Sequence, residues 1–280
     1  MVSRTASRSG ARARRSARRA GDGRVSVWLA RAGLTARGVL YVLIGIIAVQ
    51  IAIEGSRQQA DRTGALRLVA KTPLGTVALW LLVIGFACMT LWRLLEAIGG
   101  SAEPDGRKAS KRLANLARAV LYAVITYGIL EYALGIGQPA SSDTQSQDLT
   151  ATALRHPGGQ WAVAIAGVII VIAGLVTMYR AYQRAFLKDL RTQSMSARTR
   201  RLVIRLGRIG GIARGFVFAT VGVFLVVAAK DANPGQAKGI DSALRALAHT
   251  ALGPVLLVVV ALGLVTFGVY SWCEARWHAA

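Results

Sequence analysis

"ARGVLY", residues 36–41, decides the fold because the chain repeats it. It returns as "ARAVLY" at 117–122 and as "ARGFVF" at 213–218. Each copy sets an arginine directly before a long apolar run, and each run is followed by a second one. Six apolar runs result, near 38–54, 75–95, 119–137, 161–179, 215–229 and 254–273. A membrane-spanning helix needs about 20 mostly apolar residues. Open sheet edges are excluded in lipid because their N–H and C=O groups would stay unpaired. The Leu/Val/Ile/Ala/Gly runs also lack the alternation of barrel strands. The fold class expected is all-α integral membrane, with six transmembrane helices arranged as three repeated hairpins.

Composition points the same way. The 280 residues are 54% hydrophobic yet carry a net charge of +22, with a mean hydropathy of +0.44 and a pI near 11.5. A basic nucleic-acid binder spreads Lys and Arg over a polar surface. Here they cluster between apolar runs, so no nucleic-acid partner is expected. Residues 1–37 hold ten Lys/Arg, 99–118 five and 180–214 ten; Arg93 and Arg276 lie on the same side. The opposite loops, 55–74, 138–159 and 230–252, hold four, one and three. That bias, twenty-seven against eight, places both termini in the cytoplasm of a multi-pass membrane protein.

Residues 1–28 are rich in Arg, Ser and Ala without an apolar face and read as a disordered basic cytoplasmic tail. The three repeats then run 29–100, 110–187 and 206–277. "ALRLVAKTPLG" at 65–75 matches "ALRALAHTALG" at 243–253 without a gap, and the same offset pairs Gly85 with Gly263, Trp92 with Tyr270 and Glu96 with Glu274. Repeat two is looser: Pro157 and Gly159 face Pro73 and Gly75, and Tyr179-Arg180 matches Trp92-Arg93 only if three residues are skipped. Copies that each cross twice share one orientation, so an axis along the membrane normal can relate them. A pseudo-threefold bundle is one arrangement and a sequential row of hairpins the other. Before each even span, short interfacial helices are expected, with Thr63 and Asp241 as N-cap residues.

As a set, the Ala-Arg-Gly/Ala-x-x-Tyr/Phe start, the Ala-Leu-Arg segment and the Gly…Trp/Tyr…Glu-Ala ending resemble the bacterial, mainly actinobacterial, "domain of unknown function 1206" membrane protein family. The resemblance covers about 250 of the 280 residues. It implies two-helix repeats and a location in the bacterial plasma membrane, and it carries no activity over.

Arg37, Arg118 and Arg214 occupy one repeat position, with Tyr41, Tyr122 and Phe218 four residues on, on the same helix face. Arginines at a helix end snorkel to lipid phosphates; three around one axis would form an anion or lipid-headgroup site. Glu131 lies 13 residues beyond Arg118, or about 20 Å along a helix, with Gln50 at the aligned place in repeat one. A polar pair at that depth is a candidate intramembrane site, either lining a transport path or reaching the outer interface. Small residues such as Gly38, Gly45, Gly85, Gly215, Gly222 and Gly263 suit close helix packing. Cys88 and Cys273 lack partners in sequence, and two lone histidines, His156 and His249, do not make a metal motif. No catalytic motif is present, so no cofactor, metal or enzymatic activity is expected. The function expected is a scaffold, accessory or lipid-interacting role, with membrane lipids, anionic ones above all, as partners; a protein partner or homo-oligomer is left open. The alternative is a small transporter or channel using Glu131 and Gln50.

Overall fold

A computed structural model describes residues 3–54, 59–99, 108–137, 140–248 and 253–278, the side chains of 3–24 and of 248 excepted. Among the described residues, six helices are long and apolar enough to cross a membrane. They are α1 (Ser3–Glu54), α3 (Gly75–Gly99), α4 (Ala109–Ala133), α6 (Gly159–Tyr182), α7 (Ala197–Lys230) and α9 (Gly253–Trp277), and three short helices lie between them, α2 (Arg62–Ala70), α5 (Ser142–Leu154) and α8 (Ile240–Ala248). α1 is traced from Ser3 and so includes the basic tail.

The short helices precede each even span as expected, but the cap of the first is displaced. α2 begins at Arg62, so Asp61 is its N-cap and accepts a hydrogen bond from the Gly64 amide at 3.0 Å. Thr63 and Asp241 are the second residues of α2 and α8, already inside the helices. A helix whose first free amides meet a carboxylate at Asp61 has no need of a second cap two residues later.

The spans pack in the order α4, α3, α1, α9, α7, α6. Glycines set the closest approaches. On α6 and α7, Gly167 and Gly174 face Gly222 and Gly215, two pairs with the same seven-residue spacing. A Cβ added at Gly174 would lie 2.6 Å from the Gly215 carbonyl oxygen, and one at Gly215 would lie 2.7 Å from that of Gly174. The α1–α9 contact repeats the device with Gly38 against Gly268. Within repeats one and three, Gly85 seats α3 on Ala36 and Gly263 seats α9 on Ala213. Such small-residue contacts supply dispersion where lipid provides no hydrophobic drive.

Repeat two departs from this plan. α6 starts at Gly159 as α3 starts at Gly75, so Ile169 stands where Gly85 would, and it is 59% exposed. Without a small residue there, α6 does not seat on its own repeat's α4; it packs on α7 instead. The pseudo-threefold ring of spans is therefore open between α4 and α6.

Threefold character survives at the loop end. Asp61 accepts from the Ser142 amide (2.7 Å) and hydroxyl (3.0 Å). Asp143 accepts from the Gly239 amide (2.6 Å) and the Ser242 hydroxyl (2.6 Å). Asp241 accepts from the Ala60 amide at 2.7 Å. Each repeat thus hands a carboxylate to the next, and the third returns to the first. This cycle ties α2, α5 and α8 into a cap over the bundle.

Candidate anion site in a central cavity

A cavity of about 240 Å³ lies beneath the cap. Its wall comes from equivalent faces of the three odd spans: Leu40, Tyr41 and Ile44 on α1, Leu121, Tyr122 and Ile125 on α4, Val217 and Phe218 on α7. The first residues of the short helices, Arg62, Ser142 and Ile240, close one end. Arg37 and Arg214 stand at the other. The interior between is apolar. The aromatic that follows each repeat arginine by four residues lines the cavity in all three copies, because i and i+4 share a helix face.

The three arginines are not equivalent. Arg37 is buried and satisfied: it donates to Glu274 at 2.7 Å and to the Ser271 hydroxyl at 3.1 and 3.2 Å. Arg118 is exposed; it donates to the Asn115 side-chain oxygen at 3.1 Å and flanks the cavity outside its lining. Arg214 packs over Phe218, Phe267 and Tyr41, with its guanidinium carbon 4.9, 5.0 and 5.8 Å from the ring centres. Its buried Nε has no hydrogen-bond partner. Aromatic faces attract a guanidinium without neutralising it, so Arg214 presents an uncompensated cation to an apolar cavity.

Sequence explains the difference once the geometry is known. Glu274 of repeat three pairs with Arg37 of repeat one, and Glu96 of repeat one lies close to Arg118 of repeat two. If Tyr179-Arg180 is matched to Trp92-Arg93, the third member of the series is Gln183, an amide, which turns to the Tyr179 hydroxyl at 2.9 Å. Repeat two therefore offers Arg214 no carboxylate.

Arg93 adds a fourth guanidinium. It pairs with Glu96 at 2.8 Å and stacks 4.0 Å from the Trp92 ring. Arg37 and Arg214 lie over the same Phe267 ring, 5.2 and 5.0 Å from its centre. At the cap end, Arg62 also has a buried Nε without a partner. Burial lowers its pKa, opposed by the adjacent Asp61. A Cβ added at Gly128 on α4 would lie 3.5 Å from the Arg62 guanidinium; Gly128 stands six residues or about 9 Å from the level of Tyr122.

Neither Glu131 nor Gln50 lines the cavity. Glu131 falls in the last turn of α4 beside the hydroxyl of Tyr127, which is itself 61% exposed. Gln50 has a buried side-chain oxygen without a partner elsewhere on α1. The polar path imagined from these two residues is not assembled. His156 is exposed, just past the end of α5, and its ring meets the Thr152 carbonyl at 3.0 Å; His249 lies outside the described residues. Cys88 and Cys273 are free thiols. Sequence reasoning missed the aspartate cycle and Arg62; the one signal for both was an Asp within two residues of the start of every short helix.

A family model described as "Domain of Unknown Function (DUF1206)" matches residues 32–100, 113–184 and 209–278, one segment per hairpin. The "Uncharacterized protein YxxB" of Bacillus subtilis (strain 168) is 31% identical over 244 residues, covering 86% of this chain and 87% of its own. No solved structure matches.

Proposed function

Since the chain belongs to the Domain of Unknown Function (DUF1206) family of membrane-spanning repeats, whose description assigns no activity, we propose its role from its geometry: a non-enzymatic membrane protein that holds an anionic lipid. The observation that carries this reading is Arg214, an uncompensated guanidinium at one end of an apolar cavity. A buried charge in low dielectric calls for a partner. A lipid headgroup supplies one, and its hydrocarbon suits the walls. The protein sits in the bacterial plasma membrane with both termini in the cytoplasm. That orientation brings the arginine end of the cavity to the inner leaflet, where anionic lipid is attracted by basic residues at about 1 kcal/mol each.

Native mass spectrometry of the purified protein tests the reading. Arg214→Gln should weaken retention of anionic lipid by roughly 10–100-fold, the equivalent of about 1.5–3 kcal/mol for bonds to a charged group. Arg155→Gln, at the exposed end of α5, should leave it unchanged. Equal retention by both variants would remove the proposal. Reporter fusions at residues 145 and 195 test the orientation: the first should lie outside and the second inside.

A further inference from the structure

Resting on that reading, we infer that the occupant is a lipid with a phosphate monoester head, and that it enters sideways from the bilayer past Leu121. Two independent observations carry the two halves.

The first is the charge count at the arginine end. Three guanidiniums stand at this end: Arg37 and Arg214 line it and share the Phe267 ring, 5.2 and 5.0 Å from its centre, and Arg118 lies one turn before Tyr122 on α4. One carboxylate answers them, Glu274 on Arg37. Two positive charges remain, nearest Arg118 and Arg214. A phosphate monoester carries about −1.5 to −2 near neutral pH, whereas a phosphodiester head carries a single charge. Only the monoester neutralises the excess and leaves three oxygens for guanidinium donors. The rest of the lining argues against a large polar head. At about 240 Å³ the cavity falls below the roughly 300–1,000 Å³ of pockets that enclose a drug-sized ligand. Its middle is apolar, so glycerol or sugar hydroxyls would be buried without partners.

The second observation is the open side of the bundle. Among the spans, α4 has α3 as its main packing partner. Leu121 lines the cavity and is nevertheless 57% exposed. In a bilayer that exposure is to acyl chains, so at Leu121 the cavity and the hydrocarbon are continuous. The cap end is shut by the cycle of Asp61, Asp143 and Asp241. A chain can therefore lie across Leu121 with its head at Arg214 and its tail still in the membrane.

The experiment uses the full-length protein and three probes: dioleoyl phosphatidic acid, dioleoyl phosphatidylglycerol and inorganic phosphate, each titrated and read by native mass spectrometry. Phosphatidic acid should bind at least about tenfold more tightly than phosphatidylglycerol. Arg118→Gln should shrink that ratio toward one while phosphatidylglycerol binding persists. Leu121→Trp should slow uptake of phosphatidic acid from vesicles severalfold, and Ile172→Trp, on the exposed face of α6, should not. Equal binding of the two lipids, both lost in Arg214→Gln, would overturn the monoester assignment while leaving the lipid-holding role intact. Loss of neither lipid in Arg214→Gln would overturn the role itself. Displacement of the lipid by millimolar inorganic phosphate would identify a soluble anion as the ligand and overturn entry from the bilayer, as would a Leu121→Trp rate equal to that of Ile172→Trp.

Discussion

Replacing Asp61 with alanine should unfasten the cap, at a cost that follows from the hydrogen bonds its carboxylate accepts. That carboxylate is fully buried and accepts three: from the Gly64 amide, the Ser142 amide and the Ser142 hydroxyl. The first is the N-cap of α2, worth about 1 kcal/mol. The second bridges repeats one and two. Its removal leaves a backbone N–H unpaired, at about 1–3 kcal/mol when buried; Ser142 is half-buried, so the lower part of that range applies. The hydroxyl can rotate toward water and adds little. The total is about 2–3 kcal/mol. Asp61→Asn should cost less, because its amide oxygen keeps one of the two amide bonds. Lys71→Ala, at the exposed far end of α2, serves as the control and should change nothing. The assay is reversible unfolding of the purified protein by SDS titration in mixed micelles, followed by tryptophan fluorescence. A destabilisation below about 0.5 kcal/mol for Asp61→Ala would refute the view that the aspartate cycle holds the three short helices together.

Other perturbations probe the bundle below. Glu274→Ala would leave Arg37 buried without its countercharge, and breaking a buried pair costs about 3–5 kcal/mol; the same titration should register a destabilisation of that order. Gly174→Ala places a Cβ 2.6 Å from the Ala219 nitrogen and the Gly215 oxygen. Because both are backbone atoms, α6 and α7 must part, at about 1–3 kcal/mol. Gly99→Ala meets nothing within 4 Å and should be neutral. Burial raises the Asp241 carboxyl pKa, against the hydrogen bond from Ala60 and the pairing with Arg245. The folded state therefore binds this proton more tightly than the unfolded state does. Its contribution to stability is present in full below the ordinary carboxylate pKa and lost as pH rises through the elevated folded value. Asp241→Asn should flatten that part of the stability–pH curve, and an unchanged curve would contradict the assignment.

The number of spans, their hairpin repetition and the identity of the repeat position were all legible in the amino-acid order. Those features follow from local rules: a long apolar run must be a helix in lipid, and a residue that recurs at one offset recurs at one place on that helix. The expectation that glycines mark close contacts followed in the same way, since Gly85, Gly215, Gly222 and Gly263 all meet a neighbouring helix at distances a side chain would not tolerate. What the repeat position does emerged only from the packing of the helices. Arg37, Arg118 and Arg214 are identical in sequence and different in state, because their partners differ: Glu274 of another repeat for the first, Asn115 of its own helix for the second, and no hydrogen-bond partner for the buried Nε of the third. Packing also removed Glu131 from the centre, because α4 ends two residues later at Ala133. The aspartate cycle joins residues about 80 to 180 positions apart, beyond any local pattern. The opening beside Leu121 arises because Ile169 occupies the place of a glycine on a helix that packs elsewhere. A charge or a gap depends on which surfaces meet, and periodicity along one chain does not record that.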